Sequence, residues 1–144
     1  MAERRGHAVW HGNLLEGSGT VDAASGAVSG REVTWKARTE GSDTVTSPEE
    51  LIAAAEAACF AMALSHALAS AGHEPEEVEV DAVCTFGPVE GGFAITRMAL
   101  DVRAAVPGID QAAFEGVLAE AEAGCPVSNA LRGNVEIDVR GRLA

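Results

Sequence analysis

The sequence has no stripe of basic residues. Its 144 residues carry 22 aspartates and glutamates against 10 lysines and arginines, a formal charge of −12 at neutral pH. Without clustered positive charge a chain cannot displace the counterions of a nucleic-acid backbone or dock on an anionic bilayer, so both partner classes are excluded as expectations. A long apolar run is also missing. The longest, Leu51 to Leu64, is interrupted by Glu56 and falls short of the roughly 18 residues needed to span a membrane. The opening MAERRGHAVW is charged and lacks the apolar segment of a secretion signal, which makes a cytoplasmic location the expectation. Cysteine is scarce: three, odd in number and widely spaced, do not build a secreted disulfide framework. Nothing reads CxxC, HExxH or His-x-Cys, so no metal site is expected. GSGTVDAASG has neither the lysine nor the GxGxxG spacing of a phosphate loop and reads as turn material, so no cofactor is expected either.

What is there fits a single domain over residues 1–144, long enough to bury a core without staples. The N-terminal third alternates short β-prone pieces with turns: HAVWHGN, GTVDA and REVTWKART. In the last, Val33, Trp35 and Ala37 alternate with Thr34, Lys36 and Arg38, which predicts a strand with Arg38 at its polar end. Ser47-Pro48-Glu49-Glu50 then announces a helix, with a capping serine, a proline suited to the first turn and a glutamate completing a capping box. It should run to Ala71 and stop at Gly72. From Leu51 to Leu64 it is apolar around its circumference except at Glu56, which predicts burial on every side, under a wrapping sheet or a second chain. Two strands follow, VEVDAVCTF and FAITRMALDVRAAV. Asp110 can cap a second helix with Phe114, Val117, Leu118 and Ala121 inward, and Cys125-Pro126 opens a short third one. NVEIDVRG closes the chain as a strand. The order predicts an α+β fold with mainly antiparallel sheet.

The cysteines differ in setting. Cys84 falls mid-strand in an apolar alternation and reads as a small core hydrophobe. Cys125, just before a proline, flanks a helix start, where unpaired N–H groups favour a thiolate; an incidental cysteine at a helix start is an equal alternative. Cys59 lies inside an alanine-rich helix, where inert cysteines are common. Glu56, three residues before it, must be paired, line a cavity or reach a solvated edge, because an unpaired buried carboxylate is expensive. A carboxylate also disfavours a thiolate, and this helix contains no lysine or arginine to activate Cys59.

At these residues the chain resembles the OsmC/Ohr family, the osmotically inducible protein C and organic hydroperoxide resistance proteins. SPEELIAAAEAACFAMALSHAL is similar to the family's Asn-Pro-Glu-Glu-Leu…Ala-Ala-Cys-Phe helix, GGFAITRMALDVRAAVPGID to the strand and linker after it, and AEAGCPVSNAL to its second-cysteine segment. The OsmC branch fits better than Ohr. The early Gly-rich stretch EGSGTVDAASG has no Ohr-type arginine, whereas Arg38 in KARTEG matches the OsmC position.

The resemblance implies a cofactor-free thiol peroxidase acting on organic hydroperoxides and, less centrally, on hydrogen peroxide. Cys59 would be the peroxidatic thiolate and Cys125 the resolving thiol that forms a disulfide with it. Arg38 would lower the Cys59 pKa, and Glu49 would hold the guanidinium bidentately. A dithiol reductant, such as a lipoylated protein, would close the cycle. The implied fold is an intertwined homodimer with antiparallel sheets wrapped around central helices. The chain departs from the family in having Glu56 where His is frequent and Ser47 where Asn is usual. His66 reads as a bystander.

Glu49 and Cys59 are ten residues apart. On one straight helix that is about 15 Å, so both can serve one site only if Glu49 comes from a second subunit, with the two apolar helices antiparallel across a two-fold axis. A redox-inert small-ligand binder and a thiol–disulfide sensor remain as alternatives to the peroxidase.

Overall fold

The computed structural model describes all 144 residues. The chain divides into two compact units, Met1–Leu51 and Ile52–Ala144. In the N-terminal unit, β1 (Gly6–His11), β2 (Ser18–Ala23) and β3 (Arg31–Val33) form an antiparallel sheet in that order. The expected strand through Arg38 is broken off after Val33. Thr34 takes an extended conformation and accepts the Ala37 N–H on Oγ1 at 3.0 Å, which caps a short helix, α1 (Trp35–Glu40). The alternation Val33/Trp35/Ala37 spans too few residues to outweigh this cap, and Gly41, at φ 82°, ends the helix. Arg38 therefore lies on a helix, not at a strand end.

The helix α2 (Pro48–Ser70) begins and stops where expected. Ser47 Oγ accepts the Glu50 N–H at 3.1 Å, but Glu50 does not complete the box: its Oε1 accepts the Thr46 hydroxyl at 2.8 Å. At the other end Gly72 is left-handed, and the His73 N–H returns to the Leu68 carbonyl at 2.9 Å, a Schellman closure. The 23-residue helix, whose most apolar 18-residue stretch has mean hydropathy 1.7, is long and apolar enough by composition to cross a membrane, more than the run Leu51–Leu64 alone suggested. One ridge of it enters the core. Glu56, Phe60, Leu64 and Leu68, at four-residue steps, are fully buried.

The rest of the C-terminal unit supplies that core. β4 (Glu77–Val89) and β5 (Gly92–Ala105) form a long antiparallel hairpin, and β6 (Glu136–Leu143) adds to the far edge of β5. β6 runs parallel to β5, the one parallel pair in an otherwise antiparallel set. The connection from β5 contains α3 (Gln111–Gly124) and α4 (Pro126–Leu131), which gives the chain the length to return to the starting end of the sheet. Asp110 caps α3 by accepting the Ala113 N–H at 2.8 Å, and Phe114, Val117, Leu118 and Ala121 face inward as the periodicity requires. With Met98, Leu100, Val102 and Ala104 of β5 and the apolar ridge of α2 they make one core. Each buried phenylalanine or leucine there contributes about 1.5–3 kcal/mol.

Enclosure of α2 on every side does not hold within one chain. Ala54, Ala55, Ala58 and Met62 are exposed, Met62 at 69%.

Candidate functional site

The expected site residues form two pairs, one in each unit. In the N-terminal unit, α1 carries Arg38 and the first turn of α2 carries Glu49. Arg38 Nε donates to Glu49 Oε1 at 2.9 Å, and its Nη2 lies 2.8 Å from the same oxygen. The guanidinium also sits over the Trp35 ring, 6.0 Å from its centroid. The pairing is as expected, but the geometry is not the two-oxygen fork. Both nitrogens converge on Oε1, and Oε2 is buried with no hydrogen-bond partner. The Glu49 side chain is 7% exposed and that of Arg38 32%, so the acid is sheltered while part of the cation remains open. A polar cleft of about 320 Å³ in this unit is lined by Arg31, Glu32, Asp43 and Glu50 and by none of the four expected residues.

In the C-terminal unit the two cysteines come together. Cys125 closes α3 and starts α4, its conformation extended and Pro126 following it as the first helical residue. Its side chain does not cap α4. It turns inward, fully buried, and Sγ donates to Glu56 Oε1 at 3.9 Å. Ser128, one turn along α4 and equally buried, donates its hydroxyl to the same Oε1 in a short hydrogen bond. Glu56 has therefore found neither a cation nor solvent. It is enclosed, with Oε1 taking two neutral donors and Oε2 buried without a partner.

Cys59 is three residues after Glu56 and half-buried, and none of the three cysteines is in a disulfide. Burial pushes the Cys59 thiol up. The Val127 backbone N–H, which hydrogen-bonds to it, pulls the other way. The hydrogen bond and charge of Cys125 and then the charge of Glu56 push it up again, and the net shift is upward. Within the chain, Cys59 is held as a thiol touching the thiol of Cys125. Burial of Cys125 restricts which reagents can reach it.

The fold recurs in known proteins. Residues 41–140 match the family model described as OsmC-like protein. The chain is 44% identical over 135 residues to Peroxiredoxin OsmC of Escherichia coli strain K12, covering 94% of each. This chain belongs to the OsmC-like protein family. The Organic hydroperoxide resistance protein of Xanthomonas axonopodis pv. citri is 40% identical over 93 residues, 64% of this chain and 63% of its own. Among solved structures, the Organic Hydroperoxide Resistance Protein OhrB of Bacillus subtilis superimposes with a TM-score of 0.75 at 27% identity, over 96% of this chain and 98% of that one.

In this OsmC-like chain, Ser128 is the site residue the sequence left unread. Its signal was available: Cys125-x-x-Ser128 at the start of a helix puts a hydroxyl and a thiol on one face. No three His, Cys, Asp or Glu side chains converge in a way that could hold a metal ion. His66 is exposed on α2, away from the buried ridge.

Proposed function

We propose that the protein is a cytoplasmic thiol peroxidase that reduces organic hydroperoxides to alcohols. The observation that carries this reading is the contact between Cys59 and Cys125 in a chain whose relatives bear the names peroxiredoxin and organic hydroperoxide resistance protein. The Cys59 thiolate attacks the terminal oxygen of ROOH; the O–O bond breaks, ROH leaves after protonation, and Cys59 becomes a sulfenic acid. Cys125 then displaces water to form the Cys59–Cys125 disulfide, and a dithiol reductant, such as a lipoylated protein, returns both cysteines to thiols.

The chain alone holds Cys59 protonated, so the thiolate needs a cation from elsewhere. A second copy supplies it in this reading. The exposed apolar face of α2, Ala54, Ala55, Ala58 and Met62, pairs with its counterpart in a homodimer, and the Arg38–Glu49 pair of one copy serves the Cys59 of the other. The upward shift of the Cys59 thiol favours a second reading, a thiol–disulfide sensor that oxidises slowly and does not turn over.

Consumption of tert-butyl hydroperoxide with a dithiol reductant separates the two. Cys59→Ser is expected to abolish turnover, and Cys125→Ser to allow about one oxidation per chain before stalling. Consumption by Cys59→Ser at the wild-type rate contradicts the peroxidase.

A further inference from the structure

Glu56 is buried completely, lies three residues from one reacting cysteine and accepts a hydrogen bond from the other. Its surroundings are selective. The groups facing it are Cys59 from its own helix and Cys125 and Ser128 from the start of α4; none carries a positive charge. Oε1 is occupied by the two donors, while Oε2 is buried and has no partner. A carboxylate enclosed in this way is costly to keep and contributes little to packing that a leucine could not. What it does provide is a proton site in contact with a thiol that must lose its proton to react.

We infer that Glu56 is the catalytic base of disulfide formation, taking the proton from Cys125 and returning it to the leaving water. The inference rests on the peroxidase reading above. The step balances without an outside reagent. The Cys125 S–H bond breaks and its proton passes to the Glu56 carboxylate. The Cys125 sulfur attacks Cys59 Sγ, an S–S bond forms and the S–O bond of the sulfenic acid breaks. Hydroxide leaves and takes the proton from Glu56 as water. Cys59 is reduced by one electron equivalent, Cys125 is oxidised by one, and Glu56 ends as it began. Ser128 is a positioning residue here. Its hydroxyl fixes Oε1, so the carboxylate cannot swing from the thiol.

The test follows disulfide formation in a single turnover. Reduced wild type and Glu56→Gln are mixed with one equivalent of tert-butyl hydroperoxide across the neutral pH range, with the sulfenic acid trapped by dimedone and the disulfide counted by mass. In wild type the step should depend weakly on pH, because the proton goes to a group inside the site. In Glu56→Gln it should be about a hundredfold slower and climb about tenfold per pH unit, because the proton must pass to hydroxide. Disulfide formation equally fast in both proteins, or slower in the variant with the wild-type pH dependence, overturns the relay alone. A wild type that consumes peroxide without forming any disulfide overturns the peroxidase mechanism and the relay together. Glu56→His is the companion variant, since it keeps a proton acceptor should Gln prevent folding. Its rate should fall as pH drops through the imidazole range near ~6.5, and a profile identical to wild type contradicts the relay.

Discussion

Two glutamates on α2 are solved in different ways. Glu49 and Glu56 are both buried, each has Oε1 taken by two donors, and each leaves Oε2 without a partner. The donors are what differ. Glu49 meets a guanidinium, which keeps its charge at every accessible pH and can only hold the carboxylate in place. Glu56 meets a thiol and a hydroxyl, which can give up or share a proton. The first arrangement suits a group that positions a cation. The second suits a group that moves a proton, so the same side chain on the same helix is suited to different tasks because its neighbours differ.

The strongest way to break this comparison is to remove the cation. Arg38→Ala should lower peroxidase activity by about a hundredfold or more, as for other losses of a charge-stabilising donor. Arg38→Lys should recover part of that loss, since one ammonium cannot reproduce two N–H contacts on one oxygen. Steady-state rates check both, and full activity in Arg38→Ala would remove the N-terminal pair from the mechanism.

Removing a donor from the other glutamate should act on stability first. Ser128→Ala leaves Glu56 Oε1 with the thiol alone, and urea unfolding should show a loss of about 1–3 kcal/mol. An unchanged midpoint would mean that the carboxyl finds another partner.

The smallest effect concerns the Cys59 thiol. Burial, Cys125 and Glu56 hold it protonated, so in separated chains its alkylation by iodoacetamide should inflect above the ordinary thiol range. In the proposed dimer, with Arg38 of the second copy nearby, the inflection should fall below that range. Glu56→Gln removes the least of the upward influences and should lower the inflection slightly in either state. An inflection above the ordinary range at dimer-forming concentrations contradicts the supply of a cation across the interface.

Much of this was legible in the residues. Local chemistry is explicit at Ser47-Pro48, Gly72, Asp110 and Cys125-Pro126, and each marks a helix boundary in the structure. The pairing of Arg38 with Glu49 was also expected, from resemblance. The misses have physical causes. The alternation around Trp35 covered only six residues, and one threonine cap overrode it. The parallel run of β6 depends on the long helical connection before it, which no local pattern records. The all-round apolarity of α2 does not tell which of its faces the chain itself covers. The partners of Glu56 come from 69 and 72 residues away, beyond any spacing rule.

The Cys59–Cys125 disulfide is the central step of the proposed cycle. Reduced protein treated with one equivalent of tert-butyl hydroperoxide, alkylated and digested without reductant, should yield a single linked species joining the peptides of Cys59 and Cys125, with Cys84 fully alkylated. All three cysteines still alkylatable after the peroxide has been consumed, or a link through Cys84, would contradict it.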